Sequence, residues 1–408
     1  MKILLLNAGS SSLKATLVDQ HAGIVLAQAK ADWAGEATRY EFIAQDGVAR
    51  TEVVAEMRYG ETVRRFLSDL RQGQSPGLLD LSELAAVGHR FVHGGEYQTS
   101  IQITPEVRSR IEQLRELAPL HNPSSLETLA AAEMELPDVP HIAVFDTAFH
   151  STMPPEAYTY AIPMQWTRDW GIRRFGFHGL SHAYCSRQAA KMLDRPSDNL
   201  RLVICHLGHG CSASAVHGGQ CVDTTMGFTP LEGLMMATRS GSIDPGVLFH
   251  LQHHQGLTAE EIEQTLNHDS GLLGVSGISA DMRQVSAAAS DGDKQARLAI
   301  AIYVHRVRQA IGALTVTMGG IDALVFTAGV GENDAEIREM ICSGLECLGL
   351  ELDSKTNIAC KPDADIASES SRARILVIAT REDETMLREV QAVMGLPAGG
   401  SGKTKVEP

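Results

Sequence analysis

Four side chains of the types that stabilise a transferred phosphoryl group stand in polar loops next to apolar segments of the chain. They are Arg90, Asp146, His178 and Arg239. Phosphoryl transfer asks little covalent chemistry of a protein, but it needs several positive or hydrogen-bond donors around the moving group. Two guanidinium groups and an imidazole meet that need, and a carboxylate could orient the acceptor. Each residue alone is equally compatible with a structural hydrogen bond or ion pair. Their joint occurrence beside glycine-rich turns favours the catalytic interpretation.

Two oxygen donors suggest a place for a divalent metal ion. Asn7 ends the first apolar strand, and Glu382 follows the last one. Mg²⁺ binds oxygen ligands and usually keeps several of its waters, so the pair could position hydrated Mg²⁺, with Mn²⁺ as a substitute. The histidines offer a weaker alternative, because His178 and His182 are four residues apart but no HExxH motif or Cys/His finger spacing accompanies them.

The elements that must position these residues include two similar hairpins. An apolar strand, a Gly- and Ser-rich turn and a second strand occupy residues 2–18, and the same order of parts returns at residues 202–216. Backbone N–H groups and hydroxyls that converge in such a turn suit a polyphosphate, although an ordinary hairpin would look similar. Their repetition indicates a duplicated domain with one phosphate loop in each half.

Composition limits the other functions that the chain could have. Its 408 residues suffice for two or three domains, and 44% of them are hydrophobic. A net charge of −15 argues against sequence-independent nucleic-acid binding. We find no apolar run long enough for a membrane span or a signal peptide, and we expect a cytoplasmic protein. The odd number of cysteines and the absence of C-x-x-C pairs predict reduced thiols.

Strand and helix signals alternate along the whole chain, which predicts an α/β fold. Thr104-Pro105-Glu106 has the form of a helix start, and Thr258 with Glu261 forms a predicted capping box. The longest predicted helix covers about residues 293–318, and a final helix follows the segment 380–384 and ends near Met394. No nucleophile elbow is present. Gly208-His209-Gly210 lacks the third glycine of a dinucleotide-binding fingerprint.

Taken in order, the motifs resemble those of the acetate kinases. This is the acetokinase family of the actin, sugar-kinase and heat-shock ATPase superfamily. The resemblance covers residues 2–394, and its longest block, residues 226–246, is highly specific. The matching motifs are NAGSSSLK (7–14), GHRFVHGG (88–95), FDTAFH (145–150), RRFGFHGLSH (173–182), HLGHG (206–210), MGFTPLEGLMMATRSGSIDPG (226–246), SADMRQV (279–285) and TAGVGEN (327–333).

The resemblance implies a role for each matched position. Asn7 and Glu382 match the magnesium positions, Arg90 the substrate carboxylate site, and Asp146 the active-site aspartate. His178 and Arg239 match the two residues that stabilise the transition state. The implied reaction is direct, in-line transfer of the ATP γ-phosphoryl group to a carboxylate oxygen, without a phosphoenzyme. The implied ATP contacts are Lys14, His206, Leu207, Gly208, His209, Gly210, Asp281, Met282, Arg283, Gly329, Val330, Gly331, Glu332 and Asn333.

The chain departs from the family pattern at two places. The family usually has Asn in the middle of the second phosphate loop, where this chain has His209. The histidine adds bulk, and charge when it is protonated, so nucleotide affinity could differ. The segment Thr380-Arg381-Glu382-Asp383 replaces a usual Thr-Asn-Glu-Glu. Because the metal-matching Glu382 is retained, we still expect magnesium use.

Four positions match the family's pocket for the acyl group, namely Val92, Leu120, Phe177 and Pro230. Related propionate kinases resemble this set but have Ala at the position of Val92. A valine narrows the pocket and favours acetate. One methylene in an apolar pocket is worth only about 1–3 kcal/mol, so propionate should be a poorer substrate rather than an excluded one.

The expected architecture is a duplicated actin-like (ribonuclease H-like) α/β fold with a nucleotide cleft between its domains. The predicted first domain comprises residues 1–149 with 385–408, and the second comprises residues 150–384. The resemblance also implies a homodimer. Propionate kinase activity is the nearest alternative. A nucleotide-switched binding protein is a further alternative, but it has no need of the acceptor-side set of Arg90, Asp146, His178 and Arg239. A sugar kinase is another, but the short, apolar, arginine-capped acceptor pocket suits a small carboxylate and not a polyol.

Overall fold

The computed structural model describes residues 1–9, 11–21, 23–33, 35, 37–72, 81–118 and 121–397. Within these ranges the chain forms two compact units. The first unit contains residues 1–148 and the described residues from 381 onward. The second unit is Phe149–Thr380. No helix in the described ranges has the length and apolarity that a membrane span requires.

The strands divide between two sheets, one in each unit. In chain order they are β1 (Lys2–Ala8), β2 (Ser12–Asp19), β3 (Ile24–Asp32), β4 (Thr38–Ala44), β5 (Ala49–Val54), β6 (Leu84–Phe91), β7 (Ile101–Gln102), β8 (His141–Phe145), β9 (Arg201–Leu207), β10 (Cys211–His217), β11 (Gln220–Thr224), β12 (Ala323–Thr327), β13 (Ala364–Asp365) and β14 (Arg374–Val377).

The helices connect and cover these strands. In chain order they are α1 (Tyr59–Gln72), α2 (Pro105–Gln113), α3 (Asn122–Glu135), α4 (Pro155–Tyr158), α5 (Met164–Trp170), α6 (Gly179–Met192), α7 (Pro245–His250), α8 (Ala259–His268), α9 (Gly271–Ser276), α10 (Met282–Ser290), α11 (Lys294–Thr317), α12 (Ala328–Asn333), α13 (Ala335–Cys342), α14 (Ser354–Ile358) and α15 (Glu382–Val393). Short 3₁₀ segments lie at Leu81–Glu83, Leu114–Glu116, Ala148–Thr152, Ser197–Asn199 and Glu346–Leu348, and a π-helical turn lies at Leu251–Gln255.

Both sheets contain the same five-strand core. In the first sheet, β1, β2 and β3 are antiparallel neighbours, and β1 continues on its other side into the parallel strands β6 and β8. In the second sheet, β9, β10 and β11 are antiparallel, and β9 continues into the parallel strands β12 and β14. The predicted α/β fold and its duplication are confirmed, since one of the two hairpins occupies the same place in each five-strand core.

The parallel strands are apolar on both faces because helices cover them. In the first unit, strand residues such as Leu4, Leu6 and Phe42 pack in one cluster with Phe66 and Leu67 of α1. In the second unit, Leu202, Ile204 and Val325 pack with Cys185 of α6. These cores fix the strand ends, where the polar residues of interest lie.

Local helix signals in the sequence are confirmed at several termini. The Thr104 side chain accepts from the Val107 N–H at the start of α2, and Thr258 with Glu261 forms the predicted capping box of α8. Helix α11 begins after its Asp293 cap and ends before Gly319, whose φ of 70° suits glycine. The predicted final helix is α15.

Helix α15 packs tightly on the first sheet, and Gly88 permits this. A Cβ atom at Gly88 would lie 2.6 Å from Val390 Cγ2 of α15 and 3.1 Å from Leu5 Cδ2 of β1. We expect Gly88→Ala to lower the free energy of unfolding by about 1–3 kcal/mol, because neither neighbour can move without disturbing the core.

Urea unfolding of the two proteins would measure this loss. The matched control is Gly312→Ala in α11, where an added Cβ would meet no atom within 4 Å. We expect that change to be stabilising by about 0.5–1 kcal/mol, because alanine favours helix. A Gly88→Ala protein as stable as the parent would contradict the packing argument.

Candidate active site

The first group of predicted residues meets at one edge of the first sheet. Strands β1, β6 and β8 are parallel neighbours, so their carboxyl ends lie at the same edge, which is where α/β proteins bind ligands. Asn7 lies near the end of β1 and Arg90 near the end of β6, and Asp146 directly follows β8. Helix α15 begins with Glu382, which reaches the same edge.

Arg90 is at the centre of this group. Its Nη2 donates to Asp146 Oδ2 at 2.6 Å and its Nε donates to Asp146 Oδ1 at 3.1 Å, which is a bidentate pair. Its Nη1 donates to Asn7 Oδ1 at 3.0 Å and lies 3.3 Å from Glu382 Oε2. Burial lowers the pKa of the guanidinium, but Asp146 and Glu382 raise that pKa by more, so the net pKa is above its ordinary value. Arg90 therefore keeps its positive charge.

Asn7 and Glu382 have the donor chemistry of a magnesium site. Asn7 Nδ2 donates to Glu382 Oε2 at 3.1 Å, so the amide and the carboxylate are direct neighbours. Among the described residues there is no group of three or more His, Cys, Asp or Glu side chains that could hold a metal. Two oxygen ligands are nevertheless enough for Mg²⁺, which commonly takes its other ligands from phosphates and water. The residues present fit such an ion.

Lys14 lies on β2 directly across from Asn7. Its Nζ is 2.7 Å from Asp383 Oδ2, and Thr16 Oγ1 donates to the same carboxylate oxygen at 2.9 Å. The Lys14 side chain is still about half exposed, so its ammonium group remains accessible from solvent. Asp383 therefore holds the predicted ATP-contacting lysine at the first hairpin.

The second group of predicted residues lies in the second unit. His178 precedes α6 in the left-handed conformation, with φ 57° and ψ 26°, which is uncommon and strained for a non-glycine residue. Its Nδ1 is 2.9 Å from Ser212 Oγ of β10, and its ring stacks on that of His206 with centroids 4.1 Å apart. The His178 ring is thus held at one edge by Ser212 and on one face by His206.

Arg239 lies beside the same loop. Its Nη1 donates to the Pro230 carbonyl at 2.8 Å, and burial lowers the pKa of the guanidinium. A Cβ atom at Gly210 would lie 3.2 Å from His178 Nε2 and 3.5 Å from Arg239 Nη2. The structure therefore brings the imidazole and the guanidinium together against the backbone of the second phosphate loop.

The second phosphate loop joins β9 to β10. His206 and Leu207 end β9, and the turn is closed by the Gly208 N–H, which donates to the Gly210 carbonyl at 3.1 Å. The His209 carbonyl accepts from the Ala237 N–H at 3.1 Å, which ties the loop to the segment that carries Arg239. Desolvation and then the charge of Arg239 lower the pKa of His209, so its imidazole is neutral at pH 7.

The predicted ATP segment 329–333 forms most of α12. Glu332 Oε1 accepts from the N–H of Ala328 at 2.9 Å, and from the N–H and hydroxyl of Thr380 at 2.8 and 2.7 Å. Asn333 Nδ2 donates to the Gly329 carbonyl at 2.8 Å. The Glu332 carboxylate thus holds the turn together. Val330 and Gly331 belong to the same short helix.

Asp281, Met282 and Arg283 form the start of α10. Asp281 caps the helix by accepting from the Arg283 N–H at 2.9 Å, and its side chain also pairs with the largely exposed Arg283 guanidinium at 2.6 Å. Met282 is buried. Farther along, α10, α11 and α13 line a cavity of about 610 Å³ whose walls include Ser286, Ile300 and Ile337. The predicted ATP segment 281–283 begins α10, and the segment 329–333 precedes α13, so both adjoin helices that line this cavity.

The predicted acyl-pocket residues are divided between the units. Val92 is buried in the first unit, just after β6. Phe177 and Pro230 are in the second unit, where Phe177 directly precedes His178 and the Pro230 carbonyl accepts from Arg239. Leu120 lies outside the described residues.

Comparison with known proteins identifies the family of the chain. The sequence profile of the acetokinase family matches residues 2–388. The chain belongs to this family. The acetate kinase of Microcystis aeruginosa is 48% identical over 396 residues, which cover 95% of this chain and 98% of that protein.

Two solved structures resemble the whole acetokinase chain. The acetate kinase of Porphyromonas gingivalis has a TM-score of 0.87 at 38% identity and covers 96% of this chain and 99% of its own. A propionate kinase from Francisella tularensis also has a TM-score of 0.87, at 39% identity, and covers 95% and 98% respectively. Acetate kinases and propionate kinases, the two activities considered above, therefore both occur on this fold.

Reasoning from the sequence missed buried residues that hold the segments of the candidate site in place. Arg338 of α13 is only 2% exposed, and its Nη1 donates to the carbonyls of Gly331 and Glu332 at 3.0 and 2.9 Å. In the sequence it is one charged residue in an amphipathic helix, which usually indicates a solvated face. The rest of its hydrogen bonds go to Asn357, whose side-chain and backbone oxygens accept from Nε and Nη2 at 2.8 and 3.0 Å, so Arg338 joins the predicted ATP segment to α14.

A second supporting group holds the segment that contains Pro230 and Arg239. Arg174 Nη2 donates to Glu232 Oε1 at 2.7 Å, and its Nη1 donates to the carbonyls of Thr224, Thr225 and Met226 at 3.0 to 3.1 Å. Tyr160 donates to the other oxygen of Glu232. The motif letters around Arg174 and Glu232 could have indicated these residues, but their pairing across 58 positions could not be derived from spacing.

Proposed function

We propose that this acetokinase reversibly transfers the γ-phosphoryl group of ATP to acetate, giving acetyl phosphate and ADP. The observation that carries the proposal is the meeting of His178 Nε2 and Arg239 Nη2 at Gly210 of the second phosphate loop. A guanidinium and an imidazole placed against a loop of backbone amides form a site for a charged phosphoryl group. Membership of the acetokinase family supports acetate as acceptor.

The residues act on the reactants as follows. Arg90 binds the acetate carboxylate, and Asp146 holds the guanidinium through its bidentate pair. One carboxylate oxygen attacks the γ-phosphorus in line, the bond from phosphorus to the β–γ bridging oxygen breaks, and ADP leaves with that electron pair. Arg239 and His178 donate to the phosphoryl oxygens in the transition state. No proton transfer and no phosphoenzyme are needed.

Asn7 and Glu382 would hold Mg²⁺ together with phosphate oxygens of the nucleotide, and Mn²⁺ would serve in its place. When bound, the ion neutralises charge on the phosphates. Lys14 adds positive charge at the first hairpin. The second phosphate loop, the start of α10 and the segment 329–333 bind the rest of ATP, with the adenosine toward the cavity between α10, α11 and α13. The neutral His209 contributes bulk rather than charge.

We extend the proposal to a homodimer, as the family resemblance implies. Propionate kinase activity is the second candidate, and the likeness to the propionate kinase from Francisella tularensis favours considering it. Val92 separates the two, because a valine leaves less room than alanine for a longer acyl chain. A nucleotide-switched binding protein would hydrolyse ATP without forming a carboxylate-dependent product.

The direct test is acyl phosphate formation with Mg-ATP and acetate, propionate or butyrate, trapped as the hydroxamate. We expect acetate to have the highest kcat/KM and propionate a value lower by about 10- to 100-fold, the usual effect of one methylene. A higher value for propionate would replace acetate kinase by propionate kinase. Bound ATP without any acyl phosphate would contradict the proposed reaction.

Replacing Val92 tests the acyl pocket alone. We expect Val92→Ala to raise kcat/KM for propionate relative to acetate by up to about tenfold, because it adds space equal to two methyl groups. The comparison variant is Val63→Ala, which truncates a buried valine of α1 in the core of the same unit. It should leave the ratio unchanged, and an unchanged ratio in Val92→Ala would remove Val92 from the specificity argument.

Replacing Arg239 tests its proposed role in the transition state. We expect Arg239→Ala to lower kcat by about 10²–10³-fold, as the loss of one transition-state donor does. Arg195→Ala, which removes a half-exposed arginine paired with Asp322 in the same unit, should keep parental kcat. A near-normal kcat in Arg239→Ala would show that the guanidinium does not act on the phosphoryl group.

A further inference from the structure

One hydroxyl group in the second unit contacts two histidines. Ser212 Oγ is 2.9 Å from His178 Nδ1 and 2.8 Å from His182 Nε2. Ser212 and His182 are fully buried. A hydroxyl has a single proton, so it can donate to only one of the two ring nitrogens, and the other nitrogen must donate to it.

The surroundings of His182 decide which of the two ring nitrogens donates to the Ser212 hydroxyl. Burial, followed by the neighbouring His150 and His206, lowers the pKa of His182 well below its ordinary value, so the ring is neutral. Its Nδ1 is buried and meets no hydrogen-bond partner among the described residues. A proton on Nδ1 would leave a buried N–H without an acceptor, which is rarer in proteins than an unpaired acceptor. The proton of His182 therefore lies on Nε2, which donates to Ser212.

The direction of the hydrogen bond at Ser212 then determines the tautomer of His178. Because Ser212 accepts from His182, its own proton is available for His178 Nδ1. A His178 ring that accepts at Nδ1 carries its proton on Nε2. Nε2 is the atom that faces Gly210 and the Arg239 guanidinium.

We propose that Ser212 and His182 are positioning residues, which hold His178 as the Nε2–H tautomer and so present a hydrogen-bond donor to the transferred phosphoryl group. The role of that donor rests on the proposed function, whereas the tautomer itself does not. The relay runs in one direction, from His182 Nε2–H through the Ser212 hydroxyl to His178 Nδ1.

The sheet places all the parts of this relay together. Ser212 on β10 is the direct antiparallel partner of His206 on β9. Their side chains therefore share one sheet face, where His206 stacks on the His178 ring and Ser212 meets its edge. His182 and Ser181 are in the first turn of α6, and Ser181 Oγ lies 2.8 Å from His206 Nδ1. The hairpin and the helix start thus fix the ring from two sides.

The neighbouring His150 stabilises the backbone at the same point. Its Nε2 is 2.9 Å from the Phe177 carbonyl, and a carbonyl can only accept, so His150 carries its proton on Nε2. Burial lowers the pKa of His150 to about 4. The titratable and charged groups near the relay include His150, whose low pKa keeps it neutral at pH 7, His206 and the Arg239 guanidinium.

The first test is the tautomer itself. Full-length protein labelled with ¹⁵N-histidine would be examined at neutral pH by long-range ¹H–¹⁵N NMR, with the His178 signals identified as those that disappear in His178→Gln. We expect a protonated Nε2 and an unprotonated Nδ1. A proton on Nδ1 of His178 in the parent protein would overturn the proposal, whether or not any variant folds.

The second test breaks the relay. We expect Ser212→Ala to give a mixture of His178 tautomers and a kcat lower by about tenfold, the rate equivalent of one lost hydrogen bond, with little change in either KM. Ser212→Thr keeps the hydroxyl and should restore both the single His178 tautomer and the parental kcat. His182→Gln offers an amide N–H in place of Nε2–H and should be closer to the parent than His182→Leu.

The matched control is Ser214→Ala. Ser214 is also buried on β10, two residues along the same face, and its hydroxyl pairs with Thr224 Oγ1 at 2.8 Å rather than with a histidine. We expect its His178 tautomer to be that of the parent and its kcat to stay within about twofold. Equal losses in Ser214→Ala and Ser212→Ala would show a merely structural effect and overturn the relay. If the parent formed no acyl phosphate, the proposed function would fail, and the NMR result would still decide the tautomer.

Discussion

The Arg90 guanidinium is largely withdrawn from water, and two carboxylates balance its charge in the first unit. Asp146, almost fully buried, supplies a bidentate carboxylate, and Glu382 supplies a second charge from the start of α15. The balance joins β6, β8 and α15 at one edge of the sheet. Asp146 and Glu382 also keep the guanidinium protonated, and under the proposed function that charge meets the carboxylate substrate.

The second unit solves a different problem, which is to hold neutral imidazoles in defined orientations. Burial lowers the pKa values of His150 and His182, so these rings stay uncharged and their tautomers are set by hydrogen bonds alone. Carbonyl and hydroxyl partners supply those bonds. Ser212 and His206 hold the His178 ring, and both belong to the hairpin that carries the second phosphate loop, so β9, β10 and α6 together set the orientation of that ring.

Several features were predictable from the sequence because they depend on local chemistry. The caps of α2 and α8, the limits of α11 and the two hairpins follow from residues close together in the chain. The positions of Asn7, Arg90 and Asp146 at strand ends follow from the alternation of strands and glycine-rich turns. The resemblance of the ordered motifs to the acetokinases was confirmed by the family match. In contrast, Arg338 looked like a surface charge, because nothing nearby in sequence reveals that Gly331 and Glu332 offer it their carbonyls.

The sequence by itself therefore determined the α/β class, the internal repeat, the family and the kinds of side chain available for phosphoryl chemistry. Apolar periodicity, caps and turn residues act over a few positions, and motif order is a property of the chain. The tertiary structure alone decided which side chains share a proton or a charge. Ser212 meets His178 and His182 from about 30 residues away, and Arg90 meets Glu382 from the far end of the chain. Such pairings arise when strands and helices pack, because a buried polar atom without a partner costs free energy and most buried polar atoms are therefore paired.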